Sequence, residues 1–152
     1  MFIFSLLEFS LDFTIPEAVR NTAAWNDVVN AGVDVILLQN DINGYQQDLV
    51  DGFPYNAVAL ISHQQKGTAE EAATIVNRAV AERIADFHKA EDALRTYLRS
   101  SETAGRTAEL IMLVASGIKS YAQGALAWYE ETGRYSGDPH NPCRIRPDQR
   151  WR

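Results

Sequence analysis

Apolar side chains recur at steps of three and four residues along most of the chain, which is the period of an α-helix with one buried face. Three long segments show this pattern, at about residues 22–51, 68–100 and 106–133, and shorter ones lie near residues 16–20 and 55–66. Alternation with a period of two, typical of a half-buried strand, occurs weakly and only within the first ten residues. The pattern therefore predicts an all-α protein folded as a helical bundle.

Signals for helix starts and stops support this division of the chain. Thr14 and Glu17 have the Thr-x-x-Glu spacing of a capping box, and so do Thr68 and Glu71. The sequence Gly-Phe-Pro at residues 52–54 predicts the end of the first long helix. We therefore expect a short helix near Pro16 and a helix of roughly 30 residues from about residue 68.

The bulk properties match one ordinary domain, with 152 residues, 46% apolar side chains and 22% charged side chains. A net charge of -6 and a pI near 5.0 argue against nucleic-acid binding, which requires a basic face. Cys143 is the single cysteine, so neither an internal disulfide nor a thiolate metal cluster is expected. A reducing, cytoplasmic location fits this composition best.

The first residues, MFIFSLLEFSLDF, are apolar, but they have no basic region at the start and Glu8 interrupts the run. They predict neither a signal peptide nor a membrane span, which needs roughly 20 apolar residues. Because the run is apolar from the second residue without a cap before it, we expect the chain to be part of a longer protein. Residues 1–136 are predicted to form one helical domain, and residues 137–152, rich in Pro and Arg, a flexible basic tail.

A cluster of amides and carboxylates, QNDINGYQQD, continues the apolar pattern at residues 39–48. Asn40, Gly44 and Asp48 follow at steps of four, which places them on the helix face predicted for the apolar residues 33–37. Burying an unpaired carboxylate is costly, whereas amide and carboxylate oxygens are suitable ligands for Mg²⁺ or Mn²⁺. An ion over Gly44 would require both polar side chains to lean inward, because Asn40 and Asp48 lie about 12 Å apart along the axis. The alternative is that the stripe reaches a solvated helix end, where these side chains cap turns.

Residues 40–48 resemble the second metal-binding motif of class I terpene synthases, Asn-Asp-(Leu/Ile/Val)-x-(Ser/Thr)-x-x-x-Glu. The flanking segments at residues 6–16 and 56–72 look like those that surround this motif in the family. The sequence WYEETGRY at residues 128–135 is similar to the family's C-terminal Trp…Arg-Tyr signature. The resemblance covers roughly residues 5–136 and implies the C-terminal part of the class I isoprenoid synthase fold, in its bacterial and fungal single-domain form.

The resemblance also implies a metal site and a diphosphate site. Asn40 and Asp48 would bind Mg²⁺, with Mn²⁺ as a possible substitute, and a water would replace the hydroxyl ligand that Gly44 lacks. Arg134 and Tyr135 would be the catalytic pair that hydrogen-bonds the diphosphate. Another interpretation is that Arg134 and Tyr135 merely follow a helix end capped by glycine.

Two further positions are assigned to the substrate by the resemblance. Trp128 would line the apolar pocket, where an aromatic face stabilises positive charge. Gln47 stands where many members have a lysine beside the diphosphate, which lowers the positive charge of the site. His63, His88 and His140 have no partner at metal-ligand spacing, and they are expected to be surface or structural residues.

The chain departs from the family in one important respect, because it contains no Asp-Asp-x-x-Asp motif. The family places that motif well before the segment that begins at Met1. We therefore expect a terpene cyclase that ionises an allylic prenyl diphosphate of farnesyl or geranylgeranyl type and needs an N-terminal half. The alternative is a non-catalytic, truncated α-helical protein that docks a partner or self-associates as a homodimer.

Overall fold

The computed structural model describes residues 2–103 and 105–132. These residues contain no β-strand, and the prediction of an all-α helical bundle is confirmed. The helices are α1 (Phe2–Ser10), α2 (Glu17–Arg20), α3 (Ala23–Val50), α4 (Ala57–Gln65), α5 (Ala69–Ser100) and α6 (Arg106–Glu131).

Threonine side chains cap α3 and α5, and of these two caps the one at Thr68 was predicted from the sequence. The hydroxyl of Thr22 accepts a hydrogen bond from the Trp25 backbone N–H at 3.2 Å and caps α3. Thr68 and Glu71 form the predicted capping box at α5, and hydrogen bonds from Thr68 lower the pKa of the Glu71 carboxyl. The box predicted from Thr14 is wrong, because α2 begins after Pro16 and has no side-chain cap.

The core lies where α3 packs most extensively on α5 and also on α6. At their crossing, a Cβ added to Gly32 would collide with Ile118 and would touch Phe87 at 3.5 Å, so glycine permits the close approach. The apolar pattern predicted for residues 68–100 is confirmed in α5, because the side chains that recur along one of its faces are all buried: Ala72, Val76, Val80, Ile84, Phe87, Leu94 and Leu98.

The buried face of α3 is rotated from the predicted one. Leu37 is 58% exposed, whereas Val35 and Gln39 are fully buried. In α6, Trp128 is 53% exposed and the next residue, Tyr129, is buried. Along α3 and near the end of α6, apolar side chains occur on two adjacent faces of the helix. The periodic pattern alone therefore does not decide which of the two faces lies against the core.

Within the described residues, α6 from Arg106 to Tyr129 is long and apolar enough to cross a membrane by length and composition alone. That is weak evidence for a span, because a core helix satisfies the same criteria. The fully buried side chains of Ile111, Val114 and Ile118 place α6 in the core of the bundle.

Candidate functional site

The carboxylate of Asp48 lies over Gly44 and against the start of α4. Its Oδ2 accepts a hydrogen bond from Asn56 Nδ2 at 2.8 Å. A Cβ added to Gly44 would lie 3.5 Å from the same oxygen, at ordinary van der Waals distance. Asn56 is fully buried, so this face of the Asp48 carboxylate is in contact with the protein interior.

A second carboxylate, that of Asp41, lies at the same junction between α3 and α4. Asp41 Oδ2 accepts a hydrogen bond from the Ala57 backbone N–H at 2.9 Å, which satisfies an amide in the first turn of α4. Burial raises the pKa of the Asp41 carboxyl, against the lowering effect of this hydrogen bond, and the charge of Asp48 raises it further. Two carboxylates of the motif at residues 40–48 therefore lie at the junction between α3 and α4.

The other end of the motif contacts a different helix. Asn40 Nδ2 donates a hydrogen bond to the Tyr129 hydroxyl on α6 at 3.1 Å. Asn40 and Asp48 are thus held by separate partners, on α6 and at the start of α4 respectively. Tyr129 is buried, and its ring centroid lies 5.5 Å from that of Trp128.

Of the remaining predicted site residues, the structure describes Gln47 and Trp128 but not the other two. Gln47 Nε2 donates a hydrogen bond to Asp51 Oδ1 at 2.9 Å, at the C-terminal end of α3. Trp128 presents about half of its surface to solvent, next to the residue that contacts Asn40. Arg134 and Tyr135 lie outside the described residues, and their roles stay predictions.

The side-chain oxygens of Asn40 and Asp48 are of the chemical type that suits a divalent cation. Neither Asp48 Oδ1 nor Asn40 Oδ1 has a hydrogen-bond partner within residues 2–103 and 105–132, so each has its lone pairs available. A carboxylate and an amide oxygen are the donors that Mg²⁺ accepts, with waters and phosphate oxygens completing its octahedron. The described part of the chain holds no group of three His, Cys, Asp or Glu side chains that could bind a metal by itself. The motif therefore offers part of a ligand set.

His63 and His88 take no part in this arrangement, and His140 lies outside the described residues. His63 is exposed, and His88 lies 3.8 Å from the Glu91 carboxylate on the same helix. Both positions agree with the expectation of surface or structural histidines.

Sequence reasoning assigned no role to Asp41, Asn56 or Tyr129. The seven-residue spacing of Asp41 and Asp48 was an available signal, because seven residues are close to two helical turns and place both side chains on one face. The contact between Asn40 and Tyr129 joins residues 89 positions apart, and no local signal predicts it.

Gln39, one residue before the motif, is also buried. Its side chain is 0% exposed, and neither its amide nitrogen nor its amide oxygen has a hydrogen-bond partner within the described residues. Burying an amide in this way has a cost in free energy, so Gln39 opposes the stability of the core.

Comparison with known families identifies the class to which this helical motif belongs. A family model described as "Terpene synthase family 2, C-terminal metal binding" matches residues 1–86, which include α1 to α4 and the first half of α5. The chain belongs to this terpene synthase family.

Three relatives support this family assignment, each at low sequence identity. The chain is 26% identical over 136 residues to (2Z,6E)-hedycaryol synthase from Kitasatospora setae, covering 90% of this chain and 40% of the relative. It is 24% identical over 141 residues to (-)-beta-caryophyllene synthase ((2E,6E)-farnesyl diphosphate cyclizing) from Saccharothrix espanaensis, covering 92% and 40%. It is 25% identical over 143 residues to Germacrene A synthase from Nostoc punctiforme, covering 94% and 41%.

The chain therefore spans about two fifths of the length of these relatives. No solved structure matches it.

Proposed function

We propose that this chain forms the metal-binding C-terminal part of a terpene cyclase acting on an allylic prenyl diphosphate of farnesyl or geranylgeranyl type. The observation that carries the proposal is the Asp48 carboxylate lying over Gly44 on a helix that matches the family's metal-binding domain. The relatives named as hedycaryol, caryophyllene and germacrene A synthases favour a sesquiterpene-sized substrate.

In this proposal, Asn40 Oδ1 and Asp48 Oδ1 bind Mg²⁺, or Mn²⁺ in its place, while waters and diphosphate oxygens supply the other ligands. When bound, the metal neutralises the diphosphate as a leaving group and so favours breakage of the allylic carbon–oxygen bond. The hydrogen bond from Asn56 keeps Asp48 oriented, and the bond to Tyr129 keeps Asn40 oriented. Gly44 leaves room for a water where the family has a hydroxyl.

The proposed diphosphate and substrate contacts lie along the C-terminal part of the chain. Arg134 and Tyr135 would donate hydrogen bonds to the diphosphate, since a guanidinium can donate two parallel bonds to phosphate oxygens. Trp128 would present its ring face to the positive charge that develops on the substrate. Gln47 would be a neutral neighbour of the diphosphate.

The full activity requires protein surface beyond this chain, supplied by an N-terminal half that carries the Asp-rich motif. Large apolar side chains on three helices are exposed, including Phe9 at 84%, Leu37 at 58% and Trp128 at 53%. We infer that these exposed side chains contribute to the contact with that N-terminal half. We expect the assembled enzyme to be cytoplasmic.

The test supplies geranyl, farnesyl and geranylgeranyl diphosphates with Mg²⁺ to the chain alone and to the chain mixed with an N-terminal half from a terpene synthase of this family. Gas chromatography then measures volatile hydrocarbon. We expect no product from the chain alone and product from the mixture, with loss of product in Asp48→Ala. No product from any mixture, together with no binding of Mg²⁺ and diphosphate, would contradict the proposal.

The second candidate is a non-catalytic helical protein that docks a partner or a second copy of itself. The same exposed apolar side chains favour it. Analytical ultracentrifugation separates the two proposals: a stable complex or dimer that ignores Mg²⁺ and diphosphate supports the non-catalytic candidate.

A further inference from the structure

The side chain of Asn56 uses all of its hydrogen-bonding capacity in the protein interior. Its Nδ2 donates to the Asp41 backbone carbonyl and to Asp48 Oδ2, both at 2.8 Å. Its Oδ1 accepts from the backbone N–H groups of Val58 at 2.9 Å and Ala59 at 3.4 Å. An amide offers two donor hydrogens and two acceptor sites, so Asn56 is fully satisfied and cannot turn without losing bonds.

Capping of α4 accounts for only half of these contacts. An N-cap requires a side-chain oxygen that accepts from the first backbone N–H groups, and serine or aspartate does this as well as asparagine. The NH₂ group of Asn56 points the other way, toward α3, and contacts Asp48 and the backbone of Asp41. Asparagine is therefore needed at this position for its NH₂ group, which donates to α3 and plays no part in capping α4.

The contact with Asp48 selects one orientation of a carboxylate that otherwise rotates freely. The last torsion of an aspartate side chain is broad, with no sharp staggered preference. The hydrogen bond to Oδ2 fixes that torsion and leaves Oδ1 without a partner among the described residues. Asp48 is also one methylene shorter than the glutamate of the family motif, so its reach depends on a fixed orientation.

A second link prevents Asn56 from moving relative to α3. Asp41 Oδ2 accepts from the Ala57 N–H at 2.9 Å, while the Asp41 carbonyl accepts from Asn56. The start of α4 is thereby bound to the metal-binding helix at two neighbouring positions. Hydrogen bonds behind a metal ligand commonly set its orientation and its affinity for the ion.

We propose that Asn56 is a positioning residue that holds the Asp48 carboxylate in its metal-binding orientation, with α4 acting as the rigid support. This inference rests on the proposed function, because it requires Asp48 to be a metal ligand. Asn56 itself does not touch the metal or the substrate.

The discriminating variant is Asn56→Ser, which retains an oxygen for the cap and removes the NH₂ donor. Binding of Mn²⁺ in the presence of inorganic diphosphate is measured by electron paramagnetic resonance, at a temperature where circular dichroism shows each variant to be folded. We expect Mn²⁺ affinity to fall about tenfold or more. Asn56→Thr, which fills more of the side-chain volume, replaces it if the serine variant does not fold.

The matched control is Thr68→Ala, which removes the cap of α5 and has no contact with Asp48. It should lower the thermal midpoint and leave Mn²⁺ affinity unchanged. A second control combines Asn56→Ser with Asp48→Asn. If Asn56 acts through Asp48, the double variant binds Mn²⁺ as weakly as Asp48→Asn alone, whereas independent effects would multiply.

Two failures are distinguishable. If the wild-type chain binds Mn²⁺ and Asn56→Ser binds it equally well, the positioning role is overturned and the proposed function stands. If the wild-type chain does not bind Mn²⁺ even with diphosphate, the metal-ligand role of Asp48 in this chain fails and this inference fails with it, while product formation with an N-terminal half tests the catalytic proposal separately.

Discussion

The two ends of the candidate metal-binding motif, at Asn40 and Asp48, are held in different ways. Asp48 is bound by Asn56, a buried side chain with four hydrogen bonds that also caps α4. Asn40 is bound through one hydrogen bond to the Tyr129 hydroxyl, near the C-terminal end of α6. The Asp48 contact spans eight residues of sequence, and the Asn40 contact spans 89.

We therefore expect the Asp48 side chain to be held more rigidly than the Asn40 side chain. The orientation of Asp48 follows from a local turn between α3 and α4, whereas that of Asn40 follows from the packing of α6. The turn of α6 that contacts Asn40 also carries Trp128, and Arg134 and Tyr135 follow it in the sequence. We therefore expect changes at Asn56 to affect folding and metal binding together, and changes at Tyr129 to have a weaker effect.

The largest expected effect is that of Asn56→Ala. Loss of the cap and of the buried partners of Asp48 and Asp41 should lower the free energy of unfolding by about 2 to 4 kcal/mol. Urea unfolding followed by circular dichroism measures it. The cap control Thr68→Ala should lose about 1 kcal/mol, and an equal loss in the two variants would show that Asn56 is a cap and nothing more.

A smaller effect is expected for Tyr129→Phe, which removes the hydroxyl that accepts from Asn40 and keeps the ring. The free energy of unfolding should fall by about 1 kcal/mol, because Asn40 is only half-buried and water can replace the lost partner. Mn²⁺ affinity should fall less than in Asn56→Ser. A fall of equal size would mean that both ends of the motif depend equally on their partners.

Gly44→Ser tests the centre of the motif, between Asn40 and Asp48. A Cβ fits there, at 3.5 Å from Asp48 Oδ2, and the added hydroxyl supplies the oxygen that the family motif has at this position. Helix propensity should raise the free energy of unfolding by about 0.5 kcal/mol, and Mn²⁺ affinity should rise.

The matched control for this substitution is Gly124→Ser on α6, where an added Cβ meets no atom of the described residues within 4 Å. It should give a gain in stability of similar size without a change in Mn²⁺ affinity. If Gly44→Ser weakens Mn²⁺ binding, the ion does not lie over Gly44.

The smallest expected effect is the contribution of Asp41, at the junction between α3 and α4, to the pH dependence of stability. Because burial raises the pKa of Asp41, the folded chain binds this proton more tightly than the unfolded chain does. Stability from this group is therefore gained as the pH falls through the raised pKa toward the ordinary value for aspartate. Asp41→Asn, which retains an oxygen for the Ala57 N–H, removes this gain.

Thermal midpoints of wild type and Asp41→Asn, measured from neutral to mildly acidic pH, check this expectation. The wild-type midpoint should rise relative to that of the variant as the pH falls. A difference that stays constant, or that changes in the opposite direction, would contradict the raised pKa.

Local signals predicted the helices well because each depends on neighbouring residues. The capping box at Thr68 and Glu71 and the stripe of α5 need no knowledge of other helices. The buried face of α3 was harder to predict, since α5 and α6 both pack on this helix and leave Leu37 outside.

The candidate site shows the same division. The motif at residues 40–48 is contiguous, so its candidate ligands Asn40 and Asp48 stand out in the sequence, and their metal-binding role stays a prediction. The groups that contact them, Asn56 and Tyr129, come from other elements, and these contacts form only when the chain folds.

The central claim is that Asn40 and Asp48 together bind a divalent metal with diphosphate, and the thermal midpoint of the intact chain tests it most directly. With Mg²⁺ and inorganic diphosphate at roughly a hundredfold excess over the dissociation constant, the midpoint should rise by about 5 to 10 °C. Asn40→Ala and Asp48→Ala should each abolish the rise, while the exposed controls Asn30→Ala and Asp92→Ala should retain it. A wild-type midpoint that does not change with these ligands, or a rise that persists in both Asn40→Ala and Asp48→Ala, would contradict the account.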